Sequence, residues 1–152
     1  MEVHQTHDEI FLFQAKYARD MLKTFGMSEC KHVATLIAHG ELLCSDDGDE
    51  KVNKIEYKSI MGSLRFLCNT RPNICYDVSL CTRYMANPSC LHLKETKRIL
   101  RSVCGTVDFG IHYFYTDNVK LVGFSDSDWG SNIDDQKSNS GNYFSLGTSL
   151  IT

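Results

Sequence analysis

Four basic residues stand at Lys94, Lys97, Arg98 and Arg101. The spacing i, i+3, i+4, i+7 places them on one face of a helix. Leu93, Thr96, Leu100 and Val103 fall on the opposite face of the same segment. A basic helix face can grip backbone phosphates without reading sequence, and it can equally be the solvated side of an amphipathic helix; the spacing leaves both readings open. Acidic residues cluster in Ser45-Asp46-Asp47-Gly48-Asp49-Glu50 and at Asp134-Asp135. The first cluster reads as a solvated loop and lacks the ligand spacing of a calcium loop, with no Glu at the twelfth position from Asp46. Cys30/His32 and Cys90/His92 are Cys-x-His pairs, far apart and sharing no zinc-binding spacing.

The elements that position these residues must come from 152 residues, 42% apolar and 23% charged. That is room for about one domain and a sizeable core. The net charge is −3. A dedicated nucleic-acid binder has a basic excess, so binding of that kind must rest on a local patch. Seven cysteines at irregular spacing, behind a polar, acidic start from Glu2 to Glu9 with no secretory signal, read as reduced thiols of an intracellular protein of no indicated compartment. No apolar run approaches the ~20 residues of a membrane span.

The chain begins with two short apolar segments, Met1–His4 and Ile10–Phe13, around a polar turn, which predicts a β-hairpin. A helix follows from Gln14 to Phe25 and stops at Gly26. Three helices are expected over Ile55–Asn69, Pro72–Met85 and Leu91–Cys104, separated by Pro72 and by Asn87-Pro88, with Gly105 as the C′ stop of the last. Beyond Gly105 the period changes to two, giving strands over Phe109–Tyr115, Val119–Asp128 and Asn142–Leu146, and a start at Leu150–Thr152. Gly62 reads as a packing glycine, and Trp129 as a core anchor rather than a base-stacking platform.

Tyr57-Lys58-Ser59-Ile60-Met61-Gly62-Ser63-Leu64 and Thr70-Arg71-Pro72-Asn73-Ile74 follow one another closely. Arg83-Tyr84-Met85-Ala86-Asn87-Pro88, His92 with Lys97-Arg98-Ile99-Leu100-Arg101, and Gly105-Thr106 with Gly110 come next. Last are Ser125-Asp126-Ser127-Asp128-Trp129 and Asp135-Gln136-Lys137-Ser138-Asn139-Ser140-Gly141. In order and spacing this series resembles the Pol polyprotein of copia-type retrotransposons over nearly the whole chain. The sequence departs from that pattern at Thr35-Leu36, Thr96, Gly130, Ser131 and Asn139.

The resemblance implies an α+β fold in three parts. Residues 1–27 would end the palm of a reverse transcriptase with a hairpin and helix, residues 28–106 would be a helical thumb and connection region, and residues 107–152 an incomplete mixed sheet of ribonuclease H type. The intact parent would be an RNA-directed DNA polymerase with ribonuclease H activity, using Mg²⁺ and acting on a template-primer or RNA/DNA hybrid. Both chemistries clamp the reacting oxygens between two metal ions held by several carboxylates. No Tyr-x-Asp-Asp occurs here, so no polymerase carboxylate is assigned. By resemblance Asp126 would be the first nuclease carboxylate and metal ligand; Asp128, on the same face of a strand, is the alternative. One or two carboxylates cannot hold a metal pair, so this stretch by itself is expected to be inactive and to need no cofactor, membrane or small-molecule substrate. A retained, non-enzymatic nucleic-acid- or protein-binding module is the alternative. Arg65 and Arg71 are further phosphate candidates, Arg71 alternatively a brace of the Pro72 turn. An incomplete sheet should leave an unpaired edge and an apolar face in solvent.

Overall fold

The computed structural model describes residues 1–36, 43–117, 119–127, 134, 138, 140–147 and 149–151. Among them the fold is α+β: four α-helices packed together, with two three-stranded antiparallel sheets. The expected N-terminal hairpin is present as β1 (Glu2–Gln5) and β2 (Glu9–Phe13), closed by Thr6, whose amide donates to the Glu9 carbonyl at 2.9 Å. Helix α1 (Ala15–Thr24) follows and stops as the sequence predicts. Gly26 takes φ +66°, and the amides of Gly26 and Met27 close on the carbonyls of Lys23 and Leu22.

Helix α2 (Lys54–Leu67) starts where the Asn53 side chain accepts from the amides of Ile55 and Glu56. It runs into a 3-10 turn at Cys68–Thr70 and a second at Pro72–Ile74, and the chain re-enters a regular helix as α3 (Cys75–Thr82). Proline removes an amide donor and disfavours helix for the residue before it; Arg71 accordingly has φ −131° and ψ 65°. Helix α4 (Cys90–Cys104) completes the bundle. Its C-cap Gly105 has φ −78°, an ordinary right-handed conformation, so the expected left-handed stop does not form. A Cβ at Gly105 would lie 2.8 Å from the Cβ of His32, so packing accounts for its small size.

The core sits between the helices. Ala18, Met21 and Leu22 of α1, Tyr57, Ile60, Met61, Leu64 and Leu67 of α2, Val78 and Cys81 of α3, and Ile99, Leu100 and Val103 of α4 form one buried cluster with Ile74. Truncating one such leucine costs about 2–5 kcal/mol. No helix among the described residues is long and apolar enough to cross a membrane.

The strands after α4 depart from the expected meander. β3 (Gly110–Phe114) pairs with β2, with Phe11 opposite His112 and Phe13 opposite Gly110. It thus completes the N-terminal sheet in the order β1-β2-β3. Gly110 permits the approach: a Cβ there would lie 2.2 Å from the Leu12 carbonyl oxygen and 2.8 Å from Phe13. Phe11 stacks on Phe13 and on His112, whose Nδ1 lies 3.0 Å from the Glu9 carboxylate. The second sheet is β4 (Leu121–Ser127), β5 (Ser140–Leu146) and β6 (Ser149–Leu150), antiparallel in every described pairing rather than mixed. The two sheets meet where the Phe114 amide donates to Ser149 Oγ. Leu121 and Phe124 lie on opposite faces of the outer strand β4 and are each 63% exposed, so this sheet shows apolar side chains to solvent on both faces rather than on one.

Candidate nucleic-acid interface

The basic residues of α4 stand where the helical spacing puts them. The buried side of the helix carries His92, Glu95, Thr96, Ile99, Leu100, Ser102 and Val103. Lys94 and Arg101 are exposed, and Lys97 and Arg98 are half-buried. Arg98 is braced from the loop after α1, donating through Nε and a terminal nitrogen to the carbonyl and hydroxyl oxygens of Thr35. A bound guanidinium keeps its charge, so the stripe remains cationic along two turns.

The start of α4 is fixed by a network that the sequence reading missed. Ser89 caps the helix and His92 closes the box: Ser89 Oγ accepts from the His92 amide, and the Ser89 amide donates to His92 Nδ1 at 3.0 Å. An Nδ1 that accepts leaves the ring proton on Nε2. Among the described residues that nitrogen is buried without a hydrogen-bond partner, 3.9 Å from Asp47 Oδ2. The ring is fully buried and stacks on Tyr84 at 3.9 Å. Asp47 belongs to the acidic loop, yet its side chain is only 4% exposed; it accepts from the Ser89 hydroxyl and lies 3.7 Å from Lys51 Nζ. The expected solvated loop is therefore pinned to the helix through one of its acids. Burial lowers the His92 pKa below its ordinary value, with Asp47 opposing. Burial alone would raise Asp47; the Ser89 hydroxyl, the Asp49 amide, His92 and Lys51 outweigh it and leave the carboxyl below its usual range. The sequence held one signal of this arrangement, a Ser three residues ahead of a side chain able to return the bond.

Arg71 is not available to a phosphate. It is 1% exposed and brackets Thr106, donating to its carbonyl at 2.7 Å and its hydroxyl at 2.6 Å. Its Nε donates to Asn73 Oδ1 at 3.2 Å. The brace reading is the one observed, and it joins Thr-Arg-Pro-Asn-Ile to Gly-Thr across 35 residues. Arg65 is exposed at the end of α2.

Asp126 lies on β4 opposite Gly141, with its residue exposed. Asp128 and Trp129 lie outside the described residues. No three His, Cys, Asp or Glu side chains converge on a common point among the described residues. Among the described residues a single exposed carboxylate does not fit a Mg²⁺ pair. Asp134 binds elsewhere, its carboxylate accepting from the Ser45 amide and hydroxyl at 2.8–2.9 Å.

The chain is similar to the retrovirus-related Pol polyprotein from transposon RE2 of Arabidopsis thaliana, at 34% identity over 97% of the chain. The corresponding Pol polyprotein from transposon TNT 1-94 of Nicotiana tabacum is 33% identical, again over 97% of the chain. The homologues of this chain over 97% of its length are copia-type Pol polyproteins from plant transposons. It spans about a tenth of the length of these Pol relatives, 10% and 12% respectively. An uncharacterized mitochondrial protein of Arabidopsis thaliana is 32% identical over 97% of the chain and 62% of its own length. No family model matches the chain, and no solved structure matches it with significance. The segment shared with these Pol polyproteins combines a closed helical core, a pinned α4 and a cationic outer helix face.

Proposed function

We propose that this chain is the stretch of a copia-type Pol polyprotein in which the reverse transcriptase ends and the ribonuclease H domain begins. Its part in the parent RNA-directed DNA polymerase is to hold the nucleic-acid backbone along the outer face of α4. The observation that carries this reading is the separation of faces on α4: Lys94, Lys97 and Arg101 stand on the outer side, with Arg98 half-buried beside them and bonded to Thr35, while the opposite face is buried. Such a face neutralises phosphates and releases counterions without reading bases. The net charge of −3 confines the attraction to this patch. Under this reading Asp126 is a nuclease carboxylate whose metal partners come from elsewhere in the parent.

Fluorescence anisotropy with a labelled RNA/DNA hybrid tests the proposal. Replacing Lys94, Lys97 and Arg101 by Ala should weaken binding at least about tenfold at low salt, whatever the base sequence. Removing Lys54 and Lys58, exposed on α2, should change it far less. Equal losses in the two variants would show a general charge effect and sink the assignment.

A second reading, a retained binding module without enzymatic activity, draws support from the mitochondrial relative, in which the same segment makes up 62% of the chain. The two readings separate in the parent polyprotein: the α4 substitutions reduce primer extension only if the segment serves the polymerase.

A further inference from the structure

The loop after α1 runs back along α4. The Cys104 thiol lies 3.6 Å from the Ser28 carbonyl and 3.7 Å from that of Cys30, and His32 fills the space beside Gly105. Further along, Thr35 meets Arg98. Residues 30–36 form neither helix nor strand, and Glu29, Lys31, His32, Ala34 and Thr35 are exposed. The loop therefore borders one flank of the basic stripe.

The contact at Arg98 has a specific form. Its Nε donates to the Thr35 carbonyl at 3.1 Å, and a terminal nitrogen donates to the Thr35 hydroxyl at 2.5 Å. These two nitrogens make one edge of the guanidinium. Such an edge is what an arginine offers to two oxygens of a carboxylate or phosphate in a fork-like contact. One residue thus presents two oxygens where a phosphate would present two. Thr35 brings no negative charge, so the arginine keeps its attraction for an anion. Arg98 is half-buried under this contact, whereas Arg101, one turn on, is exposed.

We propose that Thr35 is an internal stand-in for phosphate that withholds Arg98, so that α4 grips a nucleic-acid backbone through Lys94, Lys97 and Arg101 and gains a fourth contact when the loop lets go. The proposal rests on the reading of α4 as a phosphate-binding face and names the contact that regulates it. The ligand is the phosphodiester backbone of an RNA/DNA hybrid. A withheld Arg98 adds to the local potential but displaces no counterion by direct contact; a released one does. Thr35 acts through Arg98 and touches no ligand, which makes it a positioning residue.

The full chain is compared with Thr35→Val, Thr35→Ser and Arg98→Ala by anisotropy with a labelled RNA/DNA hybrid across a salt series. Valine keeps the carbonyl and the shape of threonine but removes the hydroxyl, which frees the terminal nitrogen. The slope of log K against log salt should steepen from about −2.7 to about −3.6, and the loss of affinity between 50 and 200 mM should grow from roughly fortyfold to roughly 150-fold. Thr35→Ser keeps the hydroxyl and should match wild type. Arg98→Ala alone should leave the slope near the wild-type value, and combined with Thr35→Val it should cancel the gain. Phenylglyoxal, which modifies accessible arginines, reads the release without nucleic acid: Arg98 should react more slowly than Arg101 in wild type and speed up in Thr35→Val, as followed by mass spectrometry. An unchanged slope or an unchanged Arg98 reaction rate in Thr35→Val would overturn the proposal. So would a slope made shallower by about 0.9 in Arg98→Ala alone, and that result decides even if Thr35→Val fails to fold. If replacing Lys94, Lys97 and Arg101 leaves the slope unchanged, the reading of α4 fails and this proposal with it. If that variant loses its slope while Thr35→Val gains none, this proposal alone fails.

Discussion

Replacing Arg71 with Ala should be among the most damaging single changes in the chain. The guanidinium is 1% exposed and makes three hydrogen bonds, two to Thr106 and one to Asn73. It also lies over the Phe109 ring at 5.4 Å. Hydrogen bonds from a charged donor contribute about 1.5–3 kcal/mol each. Burying the cation offsets part of that gain, as the lowered Arg71 pKa reflects through burial. Truncation leaves the Thr106 carbonyl without this donor and opens a cavity. The net cost should be roughly 3–4 kcal/mol. For a chain of this length each kcal/mol moves the midpoint by about 2–4 °C, so Tm should fall by about 10 °C. Arg71→Lys should lose most of this, because an ammonium cannot bracket both Thr106 oxygens and reach Asn73. Arg71→Met keeps much of the volume and should fall between wild type and Ala. Urea unfolding followed by circular dichroism reads all four proteins. A loss below about 1 kcal/mol for Ala, or full stability in the Lys variant, would refute the bracket argument.

Three further outcomes follow from the same contacts. Gly110→Ala should cost about 1–3 kcal/mol and raise amide exchange in β2 and β3, since its Cβ meets the Leu12 carbonyl at 2.2 Å and the backbone must shift; unchanged exchange would contradict that close approach. Tyr57→Phe should cost about 1–2 kcal/mol in the same urea assay, because the buried hydroxyl donates to the Cys81 carbonyl at 2.8 Å. Stability should fall on acidification below 6.5: His92 has a depressed pKa when folded, so the unfolded chain takes up the proton first. Asp47, also depressed, adds a second loss only as the pH passes below 3.8. Thermal melts at stepped pH should show the first drop, and His92→Gln should flatten it.

Local patterning made much of this fold legible. The 3.6-residue period located α1, α2 and α4 to within a residue or two, and Gly26 marked a stop that its positive φ confirms. Pro72 marked the break, but Cys68–Ile74 forms two 3-10 turns before the helix resumes, a compromise between chain direction and buried Arg71 that periodicity does not register. Strand partners were less accessible. β3 was expected beside the strands that follow it and instead joins β2, about a hundred residues earlier, because pairing depends on what the helices bring together. The outward face of α4 was readable from four residue types at helical spacing. The Asp47–Ser89–His92 network was not, since an acidic loop looks solvated until its partner 42 residues away is known. Arg71 illustrates the same limit: a cation in sequence suggests a ligand contact, and only burial shows that its partners are within the chain.

The account rests on the outer face of α4 as a phosphate-binding surface, and its most direct test is the salt dependence of hybrid binding. With Lys94, Lys97 and Arg101 each engaging a phosphate, the plot of log K against log salt should have a slope of about −2.7, and affinity should fall roughly fortyfold between 50 and 200 mM. The triple alanine variant should lose about that entire slope. A slope unchanged by the substitutions would place the nucleic acid, if it binds, on another surface and contradict the account.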